Sequence, residues 1–287
     1  MSKDQIWKHI IGKFFIEFTE FFLPELHKDI DFNKKPKFLD NQLSKITQKS
    51  EGKNRESDKL VEVKLKDGSE KWILVHIEIQ DSKKDDFIFR MFQYYYRIFD
   101  KFNKKIVALA VYTDSNSKFN PAEYKDSFYG TEIIYKFNTY KVLDQKDKKE
   151  FLKNNANPFA LVILSSLYYL ESKKDEEKRY NFKIELTKLL LEKGYKKKDV
   201  WDLFDFIDVL MSFSNDKLEK KYYKEIEEMP KVKEEKIIGG FKKVAMKIAT
   251  EMRTIELAKN MLKENISIKI IAKVTGLKIE EIEELKI

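Results

Sequence analysis

The chain has 287 residues, 42% hydrophobic and 37% charged, with 22 phenylalanines and 14 tyrosines; a peptide-sized scaffold and the low-hydrophobicity composition of disordered chains are both excluded. Cysteine is absent and histidine occurs only as His9, His27 and His76, so disulfides, zinc fingers and thiol nucleophiles are excluded. A net charge of +8 is compatible with a polyanionic partner, although lysine is abundant everywhere and no single lysine run marks a binding patch.

Any metal centre here must use oxygen ligands, which favour hard ions such as magnesium or manganese. No run approaches the roughly 18 uncharged apolar residues of a membrane span, and the opening MSKDQIWKHI lacks the apolar stretch of a secretory signal. A soluble, cytoplasmic protein is the expectation.

Ile6, Ile10, Phe14, Phe18 and Phe21 recur at helical spacing and predict one helix over 4–26, with Pro24 near its end. A second helix is expected over Lys37 to Gln48, followed by a polar loop, SEGKNRESDK. DKLVEVKLK (58–66) and KWILVHIEIQ (71–80) alternate Val, Leu and Ile around the turn signal Asp67, Gly68 and predict a β-hairpin. Phe87, Met91, Tyr95, Ile98 and Phe102 then form one helical stripe. IVALAVYT (106–113), a continuous apolar run, predicts a buried central strand. FYGTEIIYKFNTYKV (128–142) suggests one or two further strands.

After Pro158 the pattern is helical throughout: ALVILSSLYYL, then EEKRYNFKIELTKLLLEKG with a glycine stop, then DVWDLFDFIDVLMSF. Residues 217–253 form a charged connection interrupted at Pro230, Gly239 and Gly240, and three short helices close the chain with a turn at Val274, Thr275 and Gly276. The organisation expected is an α/β core over 1–145, a helical region packed on it over 146–230, and a charged helical tail over 231–287.

If the hairpin loop is Asp67, Gly68 and Ser69, Val61 faces Val75 and Val63 faces Ile73 on one apolar face. The other face then pairs Leu60 with His76 and Asp58 with Glu78, with Gln80 on the same side. Opposed carboxylates repel unless something positive lies between them, and a divalent cation is the simplest candidate. A two-residue loop would shift the register by one and separate the pair, leaving Asp58 and Glu78 as solvated strand-end residues.

Asp58, then some twenty residues containing a turn, then Glu78, Ile79 and Gln80 resembles the core motif of the PD-(D/E)XK nucleases, with Gln80 in the place of the lysine and Ser57 in that of the proline. More closely, FFIEFTEFFLPEL (14–26), FLD (38–40), DKLVEVKLKDGSEKWILVHIEIQ (58–80), FRMFQYYYRIFDK (89–101) and NPFALVIL (157–164) resemble the Rpn or YhgA-like group of recombination-promoting nucleases, also described as transposase-like. The resemblance runs to about residue 215. It implies a restriction-endonuclease-like mixed sheet flanked by helices, with an all-helical C-terminal region.

It also implies a magnesium-dependent endonuclease, with manganese as a substitute ion and DNA as the partner. Asp58, Glu78 and the Ile79 carbonyl would hold the ion and Gln80 would orient the attacking water. Arg90, Tyr94 and Arg97 fall at i, i+4 and i+7 as a polar stripe; Arg90 is the candidate clamp on the scissile phosphate, while for Arg97 a surface ion pair is favoured. Glu17 and His76 are further candidates, although a surface role for Glu17 and a structural role for His76 are favoured. The glutamate-rich KIEEIEELK argues against a DNA-reading helix at the C-terminus and leaves only Lys269, Lys273 and Lys278 for DNA contact. Double-strand cleavage would favour a homodimer. A noncatalytic DNA-binding or protein-interaction module with the same fold is the alternative that Gln80 keeps open, and an RNA or nucleotide phosphodiesterase would use the same ligands.

Overall fold

The structure, a computed structural model, describes residues 2–39, 59–78, 84–230, 254–264, 266–283 and 285. The chain divides into two compact units, Met1–Glu219 and Lys220–Ile287. In the first, α1 (Lys3–Lys13), α2 (Phe15–Phe22) and α3 (Pro24–Asp29) lead into β1 (Lys37–Phe38), β2 (Lys59–Lys64) and β3 (Glu70–Glu78). The long helix α4 (Lys84–Phe102) connects β3 to β4 (Ile106–Tyr112). A ribbon of β5 (Glu123–Phe128) and β6 (Thr131–Lys136) follows, then β7 (Asn138–Lys141).

The main sheet has the order β1-β2-β3-β4-β7. β2 runs antiparallel to both of its neighbours, β1 and β3, whereas β3, β4 and β7 run parallel. Parallel neighbours need a crossover, and α4 supplies it between β3 and β4. Of the stripe read from the sequence, Phe87, Met91 and Ile98 are buried against Leu60, Trp72, Ala108, Ala110 and Tyr112, joined by Tyr94, while Tyr95 and Phe102 are partly buried at its margin. On the opposite face Val61, Val63, Ile73, Leu109 and Val111 are equally buried. Tyr140, paired with Val111, meets the Phe22 ring of α2 at 4.8 Å. With both faces covered, β4 can be apolar without alternation, as its sequence predicted.

The helical layer continues with α5 (Lys149–Asn154), α6 (Pro158–Glu171), α7 (Glu176–Glu192) and α8 (Lys197–Leu210), and α9 (Asp216–Glu227) carries the chain across the boundary between the units. Asn157 caps α6 by accepting from Phe159 N–H at 2.9 Å, and Pro158 occupies the first turn, where its missing N–H costs nothing. Phe159 packs on Phe18 and Phe22, at 5.3 and 5.4 Å, and Trp7 meets Phe206 of α8 edge-on at 5.3 Å. Gly194, at φ 69°, ends α7 where a side chain would be strained. In the second unit helical residues 254–263 precede α10 (Ile268–Thr275) and α11 (Ile279–Glu283), around Ala258, Ile271 and Ile282. Gly276 turns between them at φ 73°, as the glycine signal predicted. Residues 231–253, which include Gly239 and Gly240, lie outside the described residues, as does most of the second helix expected up to Gln48.

Three expectations are corrected and one strand is added. The single helix over 4–26 is three helices: Leu23 adopts φ −136°, ψ 55° ahead of Pro24, whose ring disfavours helical backbone in the residue before it, and another break falls at Phe14. Lys37 and Phe38 are strand rather than helix, paired with Glu62 and Val61. The two further strands expected over 128–142 are β6 and β7, and their neighbour β5 (Glu123–Phe128) is a strand that no expectation covered. The hairpin loop is Lys66, Asp67 and Gly68, one residue earlier than expected.

In that loop Leu65 exchanges with Ser69, whose carbonyl accepts from Leu65 N–H at 2.8 Å, and Gly68 N–H donates to the Leu65 carbonyl at 2.9 Å. Gly68, at φ 81°, fills the third loop position, where a type I turn requires a left-handed residue. The register consequently moves by two residues: Val61 faces Ile73, Val63 faces Lys71 and Leu60 faces Leu74. A two-residue displacement leaves every side chain on its expected face, because alternation has a period of two.

A buried ionic cluster ties the last helices of this unit together. Lys183 of α7 contacts Asp208 of α8 at 2.7 Å, and Arg179 donates to the carbonyls of Ser172, Lys173 and Ser212. Beside it, burial first and then the charges of Asp208 and Asp216 raise the Glu219 carboxyl above its usual pKa, against the opposing pull of Lys183. The folded chain therefore keeps this proton to higher pH than the unfolded chain. Its contribution is complete below the ordinary carboxyl pKa and is lost as pH rises through the folded value. Glu219→Gln is expected to lessen the fall in melting temperature between mildly acidic and neutral pH, which thermal denaturation across that range would measure.

Candidate functional site

The three parallel strands end side by side. Glu78 is the last residue of β3, Tyr112 pairs with it as the last of β4, and Lys141, the last of β7, pairs with Tyr112. At the usual strand spacing the backbones of Glu78 and Lys141 are roughly 10 Å apart. In open α/β sheets ligands bind beyond the carboxyl ends of such strands.

The floor of this sheet end is aromatic. Tyr112 is fully buried, its ring 5.6 Å from Phe87 and 5.4 Å from Phe119, and its hydroxyl donates to the Pro121 carbonyl at 2.6 Å. The Arg90 guanidinium lies over the Phe87 ring at 5.8 Å, so α4 carries Arg90 to the end of the sheet where β3 and β4 finish. Arg97, two turns further along α4, is half-buried. Tyr94 departs from the expected polar stripe: it belongs to the buried core with Met91 and Ile98, because the apolar face of α4 is wide enough to include it.

Two residues missed in the sequence dominate the described part of this region. Asp114, just past β4, and Lys141 form an ion pair at 2.5 Å with side chains only 2% and 1% exposed. The second Asp114 oxygen accepts from Asn116 N–H at 2.8 Å, holding the turn that leaves β4, and the Lys141 ammonium lies 5.7 Å above the Tyr112 ring. DSNS was read only as the boundary of a strand. Its position after a buried parallel strand was the signal available.

Asp58, Ile79 and Gln80 lie outside the described residues, and of Glu78 the backbone alone is described. The expected opposition of Asp58 to Glu78 rested on the register that the described pairs replace with one displaced by two residues. Among the described residues no group of three or more histidine, aspartate or glutamate side chains is placed to hold a metal ion. Glu17, half-buried on α2, offers its carbonyl to Asn157 Nδ2 at 3.0 Å, an interaction between helices. A surface recess of about 540 Å³, lined by His27, Asp31, Phe32 and Lys66 among others, adjoins the hairpin loop. It thus belongs to the end of β3 opposite Glu78, and Lys66 there already donates to the Lys28 carbonyl at 2.5 Å.

These features define a mixed α/β protein with a five-stranded sheet between helical layers and helices at its C-terminal end. Among the described residues no helix is long and apolar enough to cross a membrane. Comparison with family models, with curated proteins and with solved structures finds no match to this chain.

Proposed function

We propose that the chain is a magnesium-dependent DNA endonuclease of the Rpn or YhgA-like kind, with a restriction-endonuclease-like core, acting in recombination or on mobile elements. The observation that carries this reading is the order of elements around Glu78. N-terminal helices, three strands paired antiparallel in turn, a helix and a parallel strand follow one another in a mixed sheet flanked by helices, with Glu78 ending the third strand and Arg90 on the helix that leaves it.

Asp58, Glu78 and the Ile79 carbonyl would hold the ion, an all-oxygen set suited to magnesium or manganese. Bound there, such an ion lowers the pKa of water and neutralises charge that builds on a phosphate. Gln80 orients the attacking water through its side-chain amide, and Arg90 donates to the non-bridging phosphate oxygens. Water adds across one P–O bond, giving a phosphate monoester and a free hydroxyl. No side chain forms a covalent bond, in keeping with a protein that has no cysteine.

The test is plasmid nicking with magnesium, manganese or EDTA, followed by labelled duplex, single strand and RNA of one sequence. Metal-dependent cutting of the duplex supports the reading. Binding without cutting in any metal contradicts it and favours the noncatalytic module; cutting of RNA alone moves the substrate class. Arg90→Ala is expected to slow cutting on the order of 100-fold through loss of a charge-assisted clamp, with Arg97→Ala close to wild type. Rates under saturating metal would distinguish the two.

A further inference from the structure

The β5–β6 ribbon is rooted on α4, where Tyr124 stacks on Phe92 at 4.7 Å and Tyr135 lies 4.7 Å from Tyr95. Beyond that root it is exposed on both sides, with Ile133 and Ile134 at 40% and 50% and the tip residues Phe128 and Tyr129 at 72% and 94%. Two strands alone bury too little to be stable in water, and an open apolar edge invites a further strand.

The direction of that edge follows from the turn. Phe128 pairs with Thr131, so Tyr129 and Gly130, at φ 44° and 85°, form a two-residue loop. The pair flanking such a loop exchanges both backbone hydrogen bonds, so Thr131, Ile133 and Tyr135 direct their N–H and C=O groups at β5. Phe137 N–H, donating to the Ala122 carbonyl at 3.0 Å, continues the alternation. Glu132, Ile134 and Lys136 therefore direct theirs outward, and among the described residues no strand takes them up.

We infer that this edge is a symmetric dimerisation surface, on which β6 of a second copy adds antiparallel to form a four-stranded sheet centred on Ile134. Two like edges related by a twofold axis pair only in registers that oppose residues of the same parity. With Ile134 on the axis, Ile134 meets Ile134 of the second copy, and Glu132 meets Lys136 of the second copy on each side. Registers centred on Glu132 or Lys136 set like charges against each other, which is unfavourable. Registers centred on Ile133 or Tyr135 set Glu132 or Lys136 against Ile134 and form no ion pair. The register centred on Ile134 alone pairs opposite charges on both sides, and this favours a second copy over an unrelated strand. The inference is independent of the nuclease reading; its failure would leave that reading untouched.

The test measures mass in solution by light scattering for the full chain and for Glu132→Lys, Lys136→Glu and Ile134→Pro, with circular dichroism to check folding. Wild type is expected to be a dimer. Each charge variant alone opposes two like charges at both contacts and is expected to raise the dimer dissociation constant at least tenfold. Ile134→Pro removes an outward donor and is expected to be monomeric. Mixing the Glu132→Lys and Lys136→Glu chains restores both ion pairs, so a one-to-one heterodimer should reappear. A damaged fold would not give that rescue. A monomeric wild type, charge variants as dimeric as wild type, or a mixture that stays monomeric each overturns the inference.

Discussion

Asp114→Asn is expected to lower the unfolding free energy by ~3–5 kcal/mol, the usual consequence of leaving one member of a buried ion pair without its partner. The substitution is chosen for its geometry. Asparagine keeps an oxygen for the Asn116 N–H, so the turn after β4 survives and only the charge opposite Lys141 is removed. Lys141 is then an ammonium with 1% of its side chain exposed and no counter-charge at 2.5 Å. Adding Lys141→Met removes that stranded charge, and the double variant should recover most of the loss because apolar replacements of buried pairs are often tolerated. Urea denaturation of the wild type, both single variants and the double variant measures the cycle. A loss under about 1 kcal/mol in Asp114→Asn would mean that the pair behaves as a solvated surface bridge.

Cutting is expected to fall on the order of 1,000-fold in Asp58→Ala and again in Glu78→Ala, about 4 kcal/mol of barrier at 1.36 kcal/mol per tenfold. The proposed ion has few protein ligands, so removing one carboxylate weakens both its binding and its hold on the attacking water. The two losses should not add: once one ligand is gone the other has little left to hold, and the double variant should resemble either single one. Single-turnover nicking at saturating manganese separates weakened ion uptake from weakened chemistry. Equal activity in wild type and both variants would remove these residues from the reaction.

Much of the architecture was legible because it rests on periodicity and chain punctuation. The α4 stripe at Phe87, Met91 and Ile98, the apolar run of β4, the helical pattern after Pro158 and the glycines at Gly194 and Gly276 each have a local physical cause, and each is found in the fold. What was missed depends on partners distant in sequence. Lys37 and Phe38 are strand only because Glu62 and Val61 accept them at the sheet edge. Tyr94 belongs to the core because α4 is flanked by both the sheet and the ribbon root.

The hairpin register failed for a local reason that could have been read. Glycine in a three-residue loop belongs at the left-handed third position, and placing Gly68 at the centre moved every pair by two residues. Of the expected site, Glu78 is described by its backbone at the end of β3, and Asp58, Ile79 and Gln80 lie outside the described residues. Asp114 was signalled only by its place after a buried strand, and its pairing with Lys141 not at all, because the two are 27 residues apart and brought together by the parallel pairing of β4 with β7.

The central claim, that Asp58 and Glu78 jointly hold one hard cation, is tested most directly by calorimetric titration of manganese into the full chain and into the two alanine variants. One ion per chain in the wild type, with uptake abolished by either substitution, is the predicted result. Uptake that persists unchanged in both variants, or none in the wild type, would contradict it.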